Sequence, residues 1–116
     1  MDIVTLRRAL TAALKARDTA AVAALRSALA AIENAGAVDP MHAPAASSGR
    51  IAGAVAGLGA AEVARRALTP TEIRALVEAE VEQRRTAARE YADLGRPDHA
   101  ERLQAEADVL AAHLRS

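Results

Sequence analysis

Apolar residues recur along most of this chain at the i, i+3, i+4, i+7 spacing of one helix face, and they divide it into two helical pairs. The first helix is expected after Asp2, an acceptable N-cap, and runs to about Arg17 with Ile3, Leu6, Leu10, Ala13 and Leu14 as its stripe. Asp18-Thr19 offers a fresh N-cap. The second helix carries Val22, Leu25, Leu29 and Ile32 and is expected to stop near Gly36 in a left-handed cap. The short joint between them makes the pair fold back or kink.

From Ala37 to about Arg50 the chain turns to Pro, Ser, Gly and small residues, a linker composition. Ile51 to Gly59 is apolar but Gly-laden, which fits a short docked helix or a mobile loop equally. Ala60 to Ala67 has room for two further helical turns. Thr69-Pro70-Thr71-Glu72 is the strongest local signal: Thr69 caps, Pro70 needs no N–H at the first helical position, and Glu72 reaches back to complete a capping box. The long helix that follows meets no breaker until Gly95, which supplies a C-terminal cap. Pro97 opens the last helix, with Ala100, Leu103, Ala107, Leu110 and Leu114 on one face. The joint at Gly95-Arg96 makes the last two helices an antiparallel hairpin. The expected fold is all-α: a small bundle of four main helices in one domain over 1–116, with an Ala/Gly/Pro-rich insert at 37–67.

Composition agrees. Thirty-three of the 116 residues are alanine, the best helix former, and β-branched residues are sparse, so Ala-lined, closely packed helices are expected rather than a sheet. Ile, Leu and Val together number 24 and Tyr91 is the sole aromatic, so the core is thin. No cysteine is present, which removes disulfides, thiol nucleophiles and Cys-based zinc sites. The N-terminus breaks into charge at Arg7-Arg8 before a signal region forms, and the weakly polar run from Ile51 to Ala61 is too short to span a bilayer. A cytoplasmic chain without membrane contact is the expectation. Fifteen cations balance fifteen anions, so any attraction to nucleic acid must come from local clustering.

One irregularity stands inside the long helix. With Ile73 as origin, Glu80 falls at about 340° and Arg84 at about 20°, both within the apolar stripe and four residues apart in the favourable order. On the second helix Arg26 and Glu33 flank the stripe set by Val22 and Leu29. The pattern fits a polar layer in which Arg26, Glu33, Glu80 and Arg84 pair across helices. It also fits a partly buried carboxylate kept for acid–base work, although no nucleophile or metal-ligand partner accompanies it. His99 and His113 are about 21 Å apart along the last helix, too far for one metal, and His42 lies in the insert. Ser47-Ser48-Gly49-Arg50 lacks the Lys and Gly spacing of a P-loop, and Gly53, Gly57 and Gly59 follow no strand. No metal, cofactor or catalytic residue is expected.

Basic residues offer a different chemistry. Arg84, Arg85, Arg89 and Arg96, with Lys15 and Arg17 on the first helix, are candidate phosphate contacts, since guanidinium forks suit phosphate. Interleaved acids such as Glu82, Glu90 and Asp93 also fit a solvated, salt-bridged face. Base stacking on an aromatic platform is excluded with Tyr91 alone.

Several stretches resemble the GatB/YqeY-like family. Leu14-Lys15-Ala16-Arg17-Asp18 is similar to its joint between the first helices, and Leu25-Arg26 through Ile32-Glu33-Asn34-Ala35 to its second helix. Leu68-Thr69-Pro70-Thr71-Glu72 resembles the start of its third. Glu80 through Arg84-Arg85, with Tyr91 and Gly95-Arg96-Pro97, resembles its E-x-x-x-R…(F/Y)…GR stretch, and Glu106 to Leu110 its last helix. Together these cover most of 5–36 and 68–114. The resemblance implies an N-terminal helical module without the family's second domain. It also implies kinship with the tail of the B subunit of the glutamine-dependent tRNA amidotransferase, a carbon–nitrogen ligase in which chemistry belongs to other domains and the tail is associated with holding tRNA. A non-catalytic tRNA accessory module is therefore the expected function; a protein–protein adaptor that binds no nucleic acid is the alternative.

Overall fold

The computed structural model describes residues 1–37 and 66–116, and among them are four helices and no strand. They are α1 (Ile3–Ala16), α2 (Thr19–Gly36), α3 (Pro70–Asp93) and α4 (Pro97–Arg115). The expectations for 38–65, including the linker, the Ile51–Gly59 segment and His42, lie outside the described residues. Arg66 and Ala67, which were expected to belong to a helical extension, are not helical.

Each start follows from its capping residue. The Thr5 N–H donates to Asp2 Oδ1 at 2.8 Å and the Ala21 N–H to Asp18 Oδ1 at 3.1 Å. At α3 the expected capping box closes in both directions: the Glu72 N–H donates to Thr69 Oγ1 at 3.1 Å, and the Thr69 N–H to Glu72 Oε1 at 3.0 Å. The Thr69 N–H, with the Arg66 guanidinium second, holds the Glu72 carboxyl below the usual glutamate range.

Two of the ends are Schellman turns. The Arg96 N–H reaches the Tyr91 carbonyl at 2.8 Å around Gly95, whose φ is +75°. The Asp18 N–H reaches the Ala13 carbonyl at 3.0 Å around Arg17, whose φ is +57°. The left-handed residue therefore sits in the α1–α2 joint, not at Gly36. Gly36 is the last residue of α2, followed by an extended Ala37. Its lack of a side chain serves a close approach, because a Cβ there would lie 3.0 Å from the Arg66 carbonyl oxygen.

α2 is the hub, packed on α1, α3 and α4, while α3 and α4 form the most extensively packed pair. Leu6, Ala24, Val77, Ala107 and Leu110 are fully enclosed, and Leu25 and Ala28 nearly so. Alanines let α2 approach its neighbours closely, and each contributes little buried area. Leu94 lies beyond the end of α3 and is 73 % exposed.

Candidate nucleic-acid interface and a buried ionic cluster

The polar layer forms around α3, with different partners from those expected. Arg84 donates from Nη1 to Glu80 Oε1 at 2.9 Å and from Nε to Glu106 Oε1 at 3.0 Å. Ser27 Oγ on α2 donates to the same Glu80 oxygen at 2.6 Å. The three charged side chains are only 12–13 % exposed, so the cluster ties α2, α3 and α4 together away from bulk water. No buried side-chain polar atom among the described residues lacks a partner.

Arg26 and Glu33 do not join it; both are exposed, and Glu33 meets Arg7 at a loose 3.9 Å. The reason is the helical wheel. Taking Val22 and Leu29 as the centre of the α2 face places Arg26 and Glu33 beside it. The true centre is set by Ala21, Leu25, Ala28 and Ile32, roughly 80° further round. That rotation turns Arg26 and Glu33 toward the α1 side and brings Ser27 to the α3 side. Glu106 carried a readable signal: it falls between Leu103, Ala107 and Leu110 just as Glu80 falls between Val77 and Arg84.

One guanidinium closes on two carboxylates, so each charge of the cluster has an opposite partner. Among the described residues no group of His, Asp and Glu is placed to hold a metal ion, and no helix is long and apolar enough to cross a membrane. A cleft of about 220 Å³ at one end of the bundle is lined by Ile3, Arg7, Ile32, Glu33, Arg66 and Ile73.

The candidate phosphate contacts separate into two groups. Arg84 is occupied internally. Arg89 donates to Thr86 Oγ1 at 3.2 Å and lies 3.8 Å from Glu82, and Arg85 lines a shallow groove between Glu78 and Glu82. Lys15, Arg17 and Arg96 are exposed and make no ion pair among the described residues. So is Arg8. From Ile3 to Ala16, α1 contains Arg7, Arg8 and Lys15 and no acid, and the flanking Asp2 and Asp18 are both engaged as caps. At the α3–α4 tip Arg96 and Arg102 line a shallow groove with Asp98 and His99. His99 stacks on Tyr91, with ring centroids 3.9 Å apart and planes 22° from parallel.

The family described as Yqey-like protein matches residues 46–115, more than half the chain. The chain belongs to this YqeY-like family. Both α3 and α4 lie inside the matched span, whereas the family-like stretches of α1 and α2 precede it. No curated protein and no solved structure matches. In this YqeY-like chain the family-like motifs have structural occupations. Thr69 to Glu72 is the capping box, Glu80 and Arg84 are the buried pair, and Tyr91 with Gly95-Arg96-Pro97 builds the hairpin turn.

Proposed function

We propose that this YqeY-like chain is a non-catalytic helical accessory module that touches tRNA phosphates through its exposed cations. The observation that carries the reading is the acid-free helix α1, where Arg8 and Lys15, with Arg17 behind them, are unpaired among the described residues. Resemblance to the tail of the tRNA amidotransferase B subunit supplies the class of polyanion. Arg96 at the hairpin tip is the further contact, and Arg85 and Arg89, held near glutamates, contribute less. Such contacts position a backbone and read no sequence.

Gel-shift titration of the chain against bulk tRNA tests this. Phosphate neutralisation releases counter-ions, so log K falls with log salt by roughly 0.9 per phosphate on a duplex. Three contacts lower affinity about forty-fold between 50 and 200 mM salt by the same relation. Binding that is absent at low salt and tens of micromolar protein rejects the reading in favour of the adaptor.

A further inference from the structure

The three exposed large apolar side chains among the described residues are Val4, Leu14 and Leu94. Two of them share one face of α1 with its cations: Val4, Arg8, Thr11 and Lys15 follow i, i+4, i+7, i+11, and Leu14 borders the row. Arg26 stands beside it. Since Arg7 meets Glu33 across the α1–α2 pair, seven residues on along α1 and seven back along α2 bring Leu14 and Arg26 level.

An opposite surface exists on the same chain. The outward face of α3 is a shallow groove lined by Ala79, Glu82, Gln83, Thr86, Ala87 and Glu90, with Leu94 continuing the row. Its small residues admit another helix closely, and it presents Glu82 and Glu90, the first with Arg89 at a loose and exposed 3.8 Å, where α1 presents cations alone. The spacings agree as well. Arg8 and Lys15 are about 10.5 Å apart along their axis, and Glu82 and Glu90 about 12 Å. In an antiparallel crossing Arg8 meets Glu90 and Lys15 meets Glu82, and the same register brings Val4 onto Leu94. Both apolar side chains leave water in that step.

We propose that α1 of one copy docks antiparallel on the outward face of α3 of a second copy, and that the second copy returns the contact as a two-fold dimer. Charge opposition fixes partner and register. The dimer covers the α1 cations assigned above to tRNA, so self-association and tRNA binding exclude each other. The proposal does not depend on the tRNA reading.

Sedimentation equilibrium of the intact chain at low ionic strength tests it. The expected result is a dimer whose dissociation constant rises at least about tenfold in high salt, where screening shortens to a few ångströms. R8E/K15E and E82K/E90K alter exposed residues, and circular dichroism confirms that each remains helical. Each alone is expected to be monomeric. Mixed in equal amounts they form a heterodimer, because the reversed charges oppose each other at one contact and the unchanged ones at the other. A wild-type chain that stays monomeric at every concentration, or a single variant that still dimerises, overturns the proposal. E82K/E90K separates the two readings: it loses dimerisation while leaving intact the cations assigned to tRNA.

Discussion

The two helical pairs divide the chemistry of the chain between them. Residues 1–37 hold five cations against three carboxylates, a net charge of +2, and residues 66–116 hold eight against ten, a net charge of −2. In the second pair half of the cations turn inward or onto neighbouring carboxylates. Arg84 bridges Glu80 and Glu106, Arg74 lies 3.3 Å from Glu78, and Arg66 lies 2.9 Å from Glu72. In the first pair, among the described residues, only Arg7 finds a carboxylate, and at 3.9 Å. The difference teaches that a count of arginines locates no binding face. Arg84, Arg85 and Arg89 form the densest cluster in the sequence, yet in the structure Arg84 is taken up by Glu80 and Glu106 and Arg89 lies 3.8 Å from Glu82.

The largest test of this division is the ionic cluster. Arg84→Ala leaves two nearly enclosed carboxylates facing each other, and Glu80→Ala leaves a guanidinium and the Ser27 hydroxyl without a shared acceptor. Each is expected to cost about 3 kcal/mol, on the order of 10 °C in Tm. Thermal unfolding checks it, and a Tm within error of wild type would place the cluster in solvent. Next come the turns. Gly95→Ala forces a side chain into the left-handed region and is expected to cost about 1 kcal/mol, whereas Arg17→Gly relieves that strain and gains about 0.5 kcal/mol against the entropy of glycine. Denaturant midpoints of the two variants, moving in opposite directions, measure it. Thr69→Ala removes one half of the capping box at a cost of about 1 kcal/mol.

Smaller effects sharpen the contrast. Arg26→Ala is expected to change stability by less than about 0.5 kcal/mol, as exposed residues do. Glu72 carries a pH signature. Its folded carboxyl titrates below the ordinary value of 4.5, so its contribution is complete above that value and disappears as pH falls through the lower folded value. Carboxyl NMR shifts read the titration directly, and Glu72→Gln flattens that part of the acid limb.

Legibility in the sequence followed the strength of local signals. The α3 capping box, the turn at Gly95 and the Pro97 start were readable because each depends on a few adjacent residues. Register across α2 was not, since its buried face is carried by Ala21, Ala24 and Ala28, which hydrophobic periodicity weighs less than Val22 and Leu29. Arg17 in the left-handed region gave no warning either, because glycine is the usual signal for that conformation. Glu106 was legible too: a carboxylate within an apolar stripe on α4 announces the same burial as Glu80. Which cations are free depends on side-chain partners in space, and spacing along the chain does not give them.

Fluorescence anisotropy of labelled tRNA at low salt, titrated with two helical variants side by side, tests the division most directly. R8E/K15E removes the free cations of α1, and R85E/R89E removes those near glutamates on α3. The expected result is that R8E/K15E abolishes binding and R85E/R89E weakens it by no more than about threefold, the loss of a fraction of one phosphate contact. Abolished binding in R85E/R89E with wild-type binding in R8E/K15E would contradict the assignment and return the interface to the long helix.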